Sequence, residues 1–168
     1  MATAMSSSGK AMLAHHIARA SGMKLEDVAN NVDADLEEAF YLGEAYEEYK
    51  TSIGKMDFTD SLNLFIKKPV LPACKYLIVD EAQDLSVIQW KIVDIIAEPV
   101  QKVYIAGDDD QAIFRWAGAD VDHFIDMEAA LQIVLDKSWR VPRSIQAVAN
   151  DIISNVNKRI PKEWSPRE

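Results

Sequence analysis

The sequence predicts an α/β fold in which a parallel sheet is flanked by helices, with a small helical segment at the N-terminal end. Two apolar runs, Tyr76 to Val79 and Val103 to Ala106, each break off into carboxylates, as buried parallel strands do at the edge of a sheet. Between them Ser86 can cap an apolar helix from Val87 to Ala97, which makes a strand, helix, strand crossover. Functional side chains are therefore expected at the ends of these strands.

The spacing of apolar residues in the first third of the chain predicts helices. Residues 1–9 are small and polar and are expected to be a disordered start or a tag, and residues 10–55 a helical, acidic segment. Eleven acidic residues stand against two basic ones between Glu26 and Asp60, as on the solvated face of an amphipathic helix. The apolar positions expected to face inward are Met12, Leu13, His16, Ile17 and Ala20 in a helix from Lys10 to Met23, then Leu36, Phe40, Leu42, Tyr46 and Tyr49.

Residues 56–168 are predicted to form the α/β part of the chain. Asp57 is a natural N-cap for a helix that Pro69 and Pro72 end. After the second strand we expect a short helix over Asp122 to Ala130, then a third strand over Leu131 to Leu135. A last helix is expected from Pro142 to about Val156.

Composition limits the classes of function. At 168 residues and 49% hydrophobic content the chain is long enough for one domain with a real core. A net charge of -9 argues against a protein that holds nucleic acid by a broad basic surface. No stretch approaches the ~20 apolar residues that span a bilayer. The single cysteine, Cys74, is expected to be a buried, inert thiol, and the protein to be cytoplasmic.

The residues best suited to ligand binding or catalysis follow the ends of the two predicted strands. Asp80 and Glu81 are suited to holding Mg²⁺ and to polarising an attacking water, although either carboxylate could instead cap the following helix. Gln111 follows the second strand and offers a neutral amide to a terminal phosphate. Phe114 and Trp116 come next in a polar loop, where aromatic side chains either pack or stack on bases.

Three motifs, in order, resemble motifs II, III and IV of the UvrD/Rep-type superfamily 1 DNA helicases. They are Ile78-Val79-Asp80-Glu81-Ala82-Gln83-Asp84, Gly107-Asp108-Asp109-Asp110-Gln111-Ala112-Ile113-Phe114-Arg115-Trp116-Ala117-Gly118-Ala119-Asp120, and Ser138-Trp139-Arg140-Val141-Pro142. The segment from Met56 to Leu62 resembles that family's Asp-Phe segment upstream of motif II. The resemblance implies that residues 56–168 are the C-terminal part of the first RecA-like domain, and that residues 10–55 are a reduced version of its helical insert.

The resemblance also implies roles for individual residues, with ATP and Mg²⁺ as cofactors. Asp80 would serve Mg²⁺ with Glu81 beside it, Glu81 would activate the hydrolytic water, and Gln111 and Arg140 would stabilise the γ-phosphate. A planar guanidinium matches phosphate geometry, so this role suits Arg140, whose alternative is a surface salt bridge. Phe114 and Trp116 would stack on the bases of single-stranded DNA.

Two features depart from the family pattern. Ala117 stands where well-known members have an arginine after the tryptophan. A phosphate-binding loop needs Gly, four residues, then Gly-Lys-Ser/Thr after a strand, and Gly9-Lys10-Ala11 does not supply it. A second RecA-like domain is also not expected within these residues.

The resemblance therefore predicts part of an ATP-dependent DNA helicase with 3′ to 5′ translocation, which by itself hydrolyses ATP slowly or not at all. The alternative is a non-catalytic module that keeps the fold. Such a module would either dock a protein partner through its acidic helices or bind single-stranded DNA.

Overall fold

The computed structural model describes residues 5–167 and confirms the predicted α/β class. Over these described residues seven α-helices and four short strands follow one another in the order α1 (Ser7–Ser21), α2 (Leu25–Asn31), α3 (Leu36–Ser52), α4 (Phe58–Lys67), β1 (Tyr76–Val79), α5 (Val87–Ala97), β2 (Lys102–Ile105), α6 (Val121–Asp126), β3 (Lys137–Pro142), α7 (Arg143–Ile153) and β4 (Ser165–Arg167). Short 3₁₀ turns at Ala82–Asp84, Asp109–Gln111 and Arg115–Ala117 lie in the loops that follow β1 and β2.

The N-terminal helices form their own core of small side chains. α1 packs against α2 and α3, and the residues buried between these helices are Ala11, Ala14, Ile17, Val28, Ala29 and Ala39. This inward face differs from the predicted one: His16 and Phe40 are exposed. The reason is that closely packed helices bury alanine, whereas the prediction favoured large side chains. Gly43 serves the same close approach, since a Cβ there would lie 2.4 Å from Nδ1 of His15.

The start of α1 differs from the expected disorder over residues 1–9. Ser7 to Gly9 form its first turn, because the hydroxyl of Ser6 accepts a hydrogen bond from the Gly9 N–H at 3.1 Å and so caps the helix. Residues 1–4 lie outside the described residues. Gly22 ends the helix in a left-handed conformation with φ 72°, which glycine adopts without steric cost.

A buried ion-pair network joins α1, α3 and α4. The Lys50 ammonium lies 2.9 Å from Glu47, 2.9 Å from Asp57 and 2.6 Å from Asp60, and Arg19 pairs with Asp57 at 2.6 Å. Asp57 and Asp60 also form a capping box at the start of α4. The three carboxylates converge closely enough for a cation, but the ammonium and guanidinium already occupy that position.

The predicted crossover is present. β1 and β2 pair in parallel, with Val79 opposite Ile105, and α5 connects them. α5 starts at Ser86, whose N–H donates to the side chain of Gln89 at 2.8 Å. The strands are less buried than expected, and Ile78 is 73% exposed, because helices cover only one face of this two-stranded sheet within residues 5–167.

The expected third strand over Leu131 to Leu135 is wrong. These residues have no regular structure, and the strand begins later, at Lys137. It pairs in parallel with β4 in a second sheet instead of joining β1 and β2. A strand needs a partner, and the apolar run from Leu131 to Leu135 finds none among the described residues.

The structure contradicts the expectation for the cysteine. Cys74, predicted to be buried, is exposed, because the residues before β1 run over the surface without regular structure.

Within residues 5–167 no helix combines the length and the apolar character needed to cross a membrane.

Candidate functional site

Asp80 and Glu81 lie at the carboxyl end of β1, where the chain is held to the end of β2. The N–H of Ala106 donates to Val79 at 2.8 Å, and the N–H of Ala82 donates back to Ala106 at 2.9 Å. Asp80 accepts the N–H of Glu81 at 3.0 Å. Glu81 itself has φ 51°, a left-handed conformation that is uncommon for a residue with a side chain. Both carboxylates are exposed at this edge of the sheet.

Gln83 connects the two strand ends, and the sequence analysis did not identify it. Its side chain is 2% exposed. Its amide nitrogen donates to Glu81 at 2.9 Å, and its amide oxygen accepts the backbone N–H of Asp108 at 2.9 Å. A buried amide that satisfies one group at each strand end fixes the distance between them. In the sequence Gln83 stands four positions after the end of β1, between Ala82 and Asp84, and no local pattern marks it as buried.

Gly107 is required by this close approach. A Cβ at Gly107 would lie 2.7 Å from the Gln83 amide oxygen, 3.0 Å from the ring of Phe124 and 3.2 Å from the Ala82 nitrogen. These separations are shorter than van der Waals contact. The glycine at the end of the second strand therefore allows the two motifs to meet.

Gln111 is brought into the same cluster. Its side-chain amide donates to Asp108 at 2.5 Å, and its backbone N–H also donates to Asp108 at 2.9 Å. A continuous hydrogen-bonded series therefore runs from Glu81 through Gln83 and Asp108 to Gln111. Gln111 is exposed, and it follows the carboxyl end of β2 as the two carboxylates follow that of β1.

The loop after Gln111 carries Phe114 and Trp116 on its surface. Trp116 is 62% exposed, and Phe114 is exposed beside it. The loop closes where the Asp120 N–H donates to Leu85 at 2.8 Å. Two exposed aromatic rings on a loop closed at both ends favour a stacking surface over internal packing.

Arg115, between these two aromatic residues, is held by α6. Its guanidinium donates to both oxygens of Asp122, at 2.9 and 3.2 Å. This hydrogen bond lowers the pKa of Asp122 to about 2 although burial opposes it, and Lys158 contributes in the same direction.

A basic segment near the C-terminus, residues 158–162, covers the acidic run that follows β2. We refer to it as the basic strap. The Arg159 guanidinium donates to both oxygens of Asp110, at 2.8 and 2.7 Å, and the Ile160 N–H donates to Asp109 at 2.7 Å. Burial alone would raise the pKa of Asp110, but the hydrogen bond from Arg159 and the charge of Lys162 hold it below its ordinary value. The sequence analysis missed this contact, because about fifty positions separate its partners.

Arg140 lies apart from the other candidates in this structure. It belongs to β3, which pairs with β4 and not with β1 or β2. The resemblance implied that Arg140 acts together with Gln111, but here Arg140 lies on a different sheet from the one whose strand end precedes Gln111. Within residues 5–167 its side chain makes no hydrogen bond or ion pair, so the alternative of a surface salt bridge is not seen there either.

The segment Gly9-Lys10 is helical. Both residues lie inside α1, and the Lys10 ammonium pairs with Asp33 at 2.6 Å. A phosphate-binding loop instead needs free backbone N–H groups between a strand and a helix. This agrees with the sequence analysis, which excluded such a loop here.

Comparison with known proteins identifies relatives over most of the chain. Residues 7–132 match the family described as UvrD/REP helicase N-terminal domain. DNA helicase II of Haemophilus influenzae is 31% identical over 160 residues, which are 88% of this chain and 22% of that protein. ATP-dependent DNA helicase PcrA of Bacillus subtilis is 31% identical over 144 residues, 76% of this chain and 20% of that protein. The chain thus spans about a fifth of the length of these relatives.

Proposed function

This chain belongs to the UvrD/REP helicase family, and from that membership we propose that it is the motif II to motif IV portion of an ATP-dependent DNA helicase. Residues 56–168 would be the C-terminal part of the first RecA-like domain, and residues 10–55 a reduced helical insert. In the complete enzyme this portion would couple ATP binding and hydrolysis to 3′ to 5′ movement along single-stranded DNA in the cytoplasm.

The observation that carries the proposal is the hydrogen-bonded series from Glu81 to Gln111. It links the Glu81 carboxylate after one strand to the Gln111 amide after the next strand. The carboxyl ends of parallel strands form the edge at which α/β proteins bind ligands. The buried Gln83 makes the arrangement rigid, which favours a site over a chance cluster of surface acids.

The strand-end residues fit Mg²⁺. Carboxylate oxygens are the ligands that this cation prefers, and Asp80 and Glu81 supply them at an exposed edge. When bound, Mg²⁺ offsets the charge of the β- and γ-phosphates. The chain's own residues would do the rest: Glu81 accepts a proton from the attacking water, and Gln111 donates N–H groups to the terminal phosphate. Arg140 belongs to the second sheet, so it is not given a role at this edge.

The isolated chain is proposed to turn over ATP slowly or not at all. Among residues 5–167 no loop wraps the phosphates, since Gly9-Lys10 lies within α1 and Gly54-Lys55 lies between two helices, α3 and α4, with no strand before it. Backbone N–H groups of such a loop are the main ligands of the β-phosphate. A steady-state ATPase assay of the chain, with and without single-stranded DNA, tests this. Strong, DNA-stimulated turnover would contradict it.

Metal binding tests the proposal that Asp80 and Glu81 hold Mg²⁺. Mn²⁺, a paramagnetic substitute for Mg²⁺, should broaden the backbone amide resonances of Asp80 and Glu81 in the ¹⁵N-labelled chain. Asp80→Asn should abolish this broadening, because it removes the charged ligand. The matched control is Asp27→Asn, which neutralises an exposed acid on α2. Equal broadening in the two variants would show that Mn²⁺ binds without regard to the strand end.

Exposure of Phe114 and Trp116 favours a second function, binding of single-stranded DNA by this chain alone. Stacking contributes about 1–3 kcal/mol per base. Because the chain carries a net charge of -9, the affinity should be modest. In a fluorescence-anisotropy titration with labelled oligonucleotide, Trp116→Ala should weaken binding by roughly tenfold or more, whereas Trp139→Ala, at an exposed tryptophan on β3, should not. If both variants bind like the unaltered chain, the stacking proposal fails.

A protein partner for the acidic helices remains the third proposal. Glu44 and Glu48 are exposed on α3, whereas Glu47 belongs to the internal network around Lys50. Reversal of Glu44 and Glu48 to lysine, with Glu47 left intact, is therefore the appropriate variant. Association that survives this reversal would exclude these acids as the docking surface.

A further inference from the structure

We propose that Lys162 is a positioning residue for Gln111 and acts through the carboxylate of Asp108. The proposal deepens the proposed function and rests on it in one respect, namely that Gln111 meets the terminal phosphate. The contact itself stands on the geometry of the basic strap. Lys162 lies more than fifty positions after the acids that it contacts, and no motif identified in the sequence includes it.

Lys162 sits at the centre of the acidic run. Its ammonium lies 2.6 Å from Asp108, 2.5 Å from Asp109 and 3.3 Å from Asp110. The side chain of Asp109 is only 2% exposed and that of Lys162 only 14%. Carboxylates this close to one another, and partly removed from water, need a cation among them. Lys162 supplies it, together with Arg159 at Asp110.

The two oxygens of Asp108 have different partners. One accepts a hydrogen bond from Lys162, and the other accepts the side-chain amide of Gln111 at 2.5 Å. Because a carboxylate is planar, an ammonium that anchors the first oxygen also fixes the direction of the second. The backbone N–H of Asp108 is bound to Gln83 in addition. The Gln111 amide is therefore oriented by a group that Lys162 holds in place.

The charge of Lys162 matters as well as its position. Burial alone would lower its pKa, but hydrogen bonds to Asp108 and Asp109 raise it above the ordinary value, so the side chain stays protonated at neutral pH. A protonated Lys162 offsets the charge of Asp108, which would otherwise repel an arriving phosphate and compete for the Gln111 amide. Lys162 thereby orients the amide through Asp108 and lowers the repulsion that an arriving phosphate would meet.

The test reads the Gln111 side chain directly. In the ¹⁵N-labelled chain, the side-chain amide resonances of Gln111 are assigned by their loss in Gln111→Glu. Lys162→Met, which keeps the length and removes the charge, should shift them by several line widths, and Lys162→Arg should return them towards their original position. The matched control is Lys158→Met, since Lys158 belongs to the same strap but pairs with Asp122 and Asp126. This variant should leave the resonances in place.

Two results would overturn the proposal: unmoved Gln111 resonances in a folded Lys162→Met variant, or an equal shift in Lys158→Met. If Lys162→Met does not fold, the contact between Lys162 and the acids is tested in the unaltered chain. Nuclear Overhauser contacts between the Lys162 side chain and the β-protons of Asp108 or Asp109 are then expected, and their absence contradicts the contact. Titration of the unaltered chain with Mg²⁺ and a non-hydrolysable ATP analogue is a separate measurement. If the resonances of Asp80 and Glu81 shift with the nucleotide and those of Gln111 do not, the phosphate role of Gln111 is rejected, while the dependence of Gln111 on Lys162 stands.

Discussion

Replacing the buried Lys50 by methionine should destabilise the fold more than the same replacement at the more exposed Lys10. The Lys50 side chain is 7% exposed, and its ammonium lies within 2.9 Å of Glu47, Asp57 and Asp60. Methionine keeps the buried stem but leaves these carboxylates with Arg19 as their remaining cation. Breaking such a buried pair costs about 3 kcal/mol, at the low end of the usual range because water still reaches Asp60.

This loss should be visible as a change in the midpoint of unfolding. For a chain of this length each kcal/mol corresponds to a few degrees, so the melting temperature should fall by about 6–12 °C. Urea unfolding followed by far-ultraviolet circular dichroism measures the same free energy, provided that the slope with denaturant is unchanged. A second variant that also removes one acid, Lys50→Met with Asp60→Asn, should recover part of the loss, because fewer unpaired charges remain.

The matched control is Lys10→Met in α1. Lys10 pairs with Asp33 at 2.6 Å, as close as the Lys50 contacts, but Asp33 is almost fully exposed. Solvent screens this pair, so the variant should unfold like the unaltered chain within experimental error. If Lys10→Met and Lys50→Met lose the same stability, or if neither loses any, burial is not what makes the network around Lys50 important.

Three further predictions concern the strand ends, the aromatic loop and the response to acid. Gly107→Ala should cost about 1–3 kcal/mol in urea unfolding, because the added methyl group meets the Gln83 amide at 2.7 Å; an unchanged midpoint would mean that the strand ends can move apart. Arg115→Gln should raise the pKa of Asp122 from about 2 towards its ordinary value in a carbon-13 carboxyl titration, and no change would show that the pair does not form in solution. Burial would raise the pKa of Asp57, but hydrogen bonds from Arg19 and Lys50 depress it, so its stabilisation is present above the unfolded pKa of about 3.9 and is lost as the pH falls below that value. The unfolding free energy should therefore drop below about pH 4, less steeply in Asp57→Asn, and parallel curves would exclude Asp57 as the source.

Local signals predicted the elements near the site well. Residues close together in the sequence are enough to predict the apolar runs that form β1 and β2, the helix between them and the cap at Asp57. Where the sequence failed, the cause was a partner distant along the chain. The run from Leu131 to Leu135 has the composition of a strand, but composition does not specify which strand it pairs with.

The same limit applies to the candidate site. The positions of Asp80, Glu81 and Gln111 at the strand ends follow from the chain order, and the structure links the last two through Gln83. The buried role of Gln83 was not visible, because an amide in a motif looks the same whether it faces water or bridges two strands. Periodicity likewise favoured large side chains on α1, where the contact with α3 selects alanine.

The left-handed backbone at Glu81 has a consequence for efforts to make this protein more robust. Glycine adopts φ 51° without the steric cost that a side chain pays there, so Glu81→Gly relieves local strain. The same exchange would remove the carboxylate that accepts the amide of the buried Gln83, so the gain in backbone freedom is opposed by the loss of this hydrogen bond. The strained conformation is thus retained where one side chain provides both the link to Gln83 and the proposed chemistry.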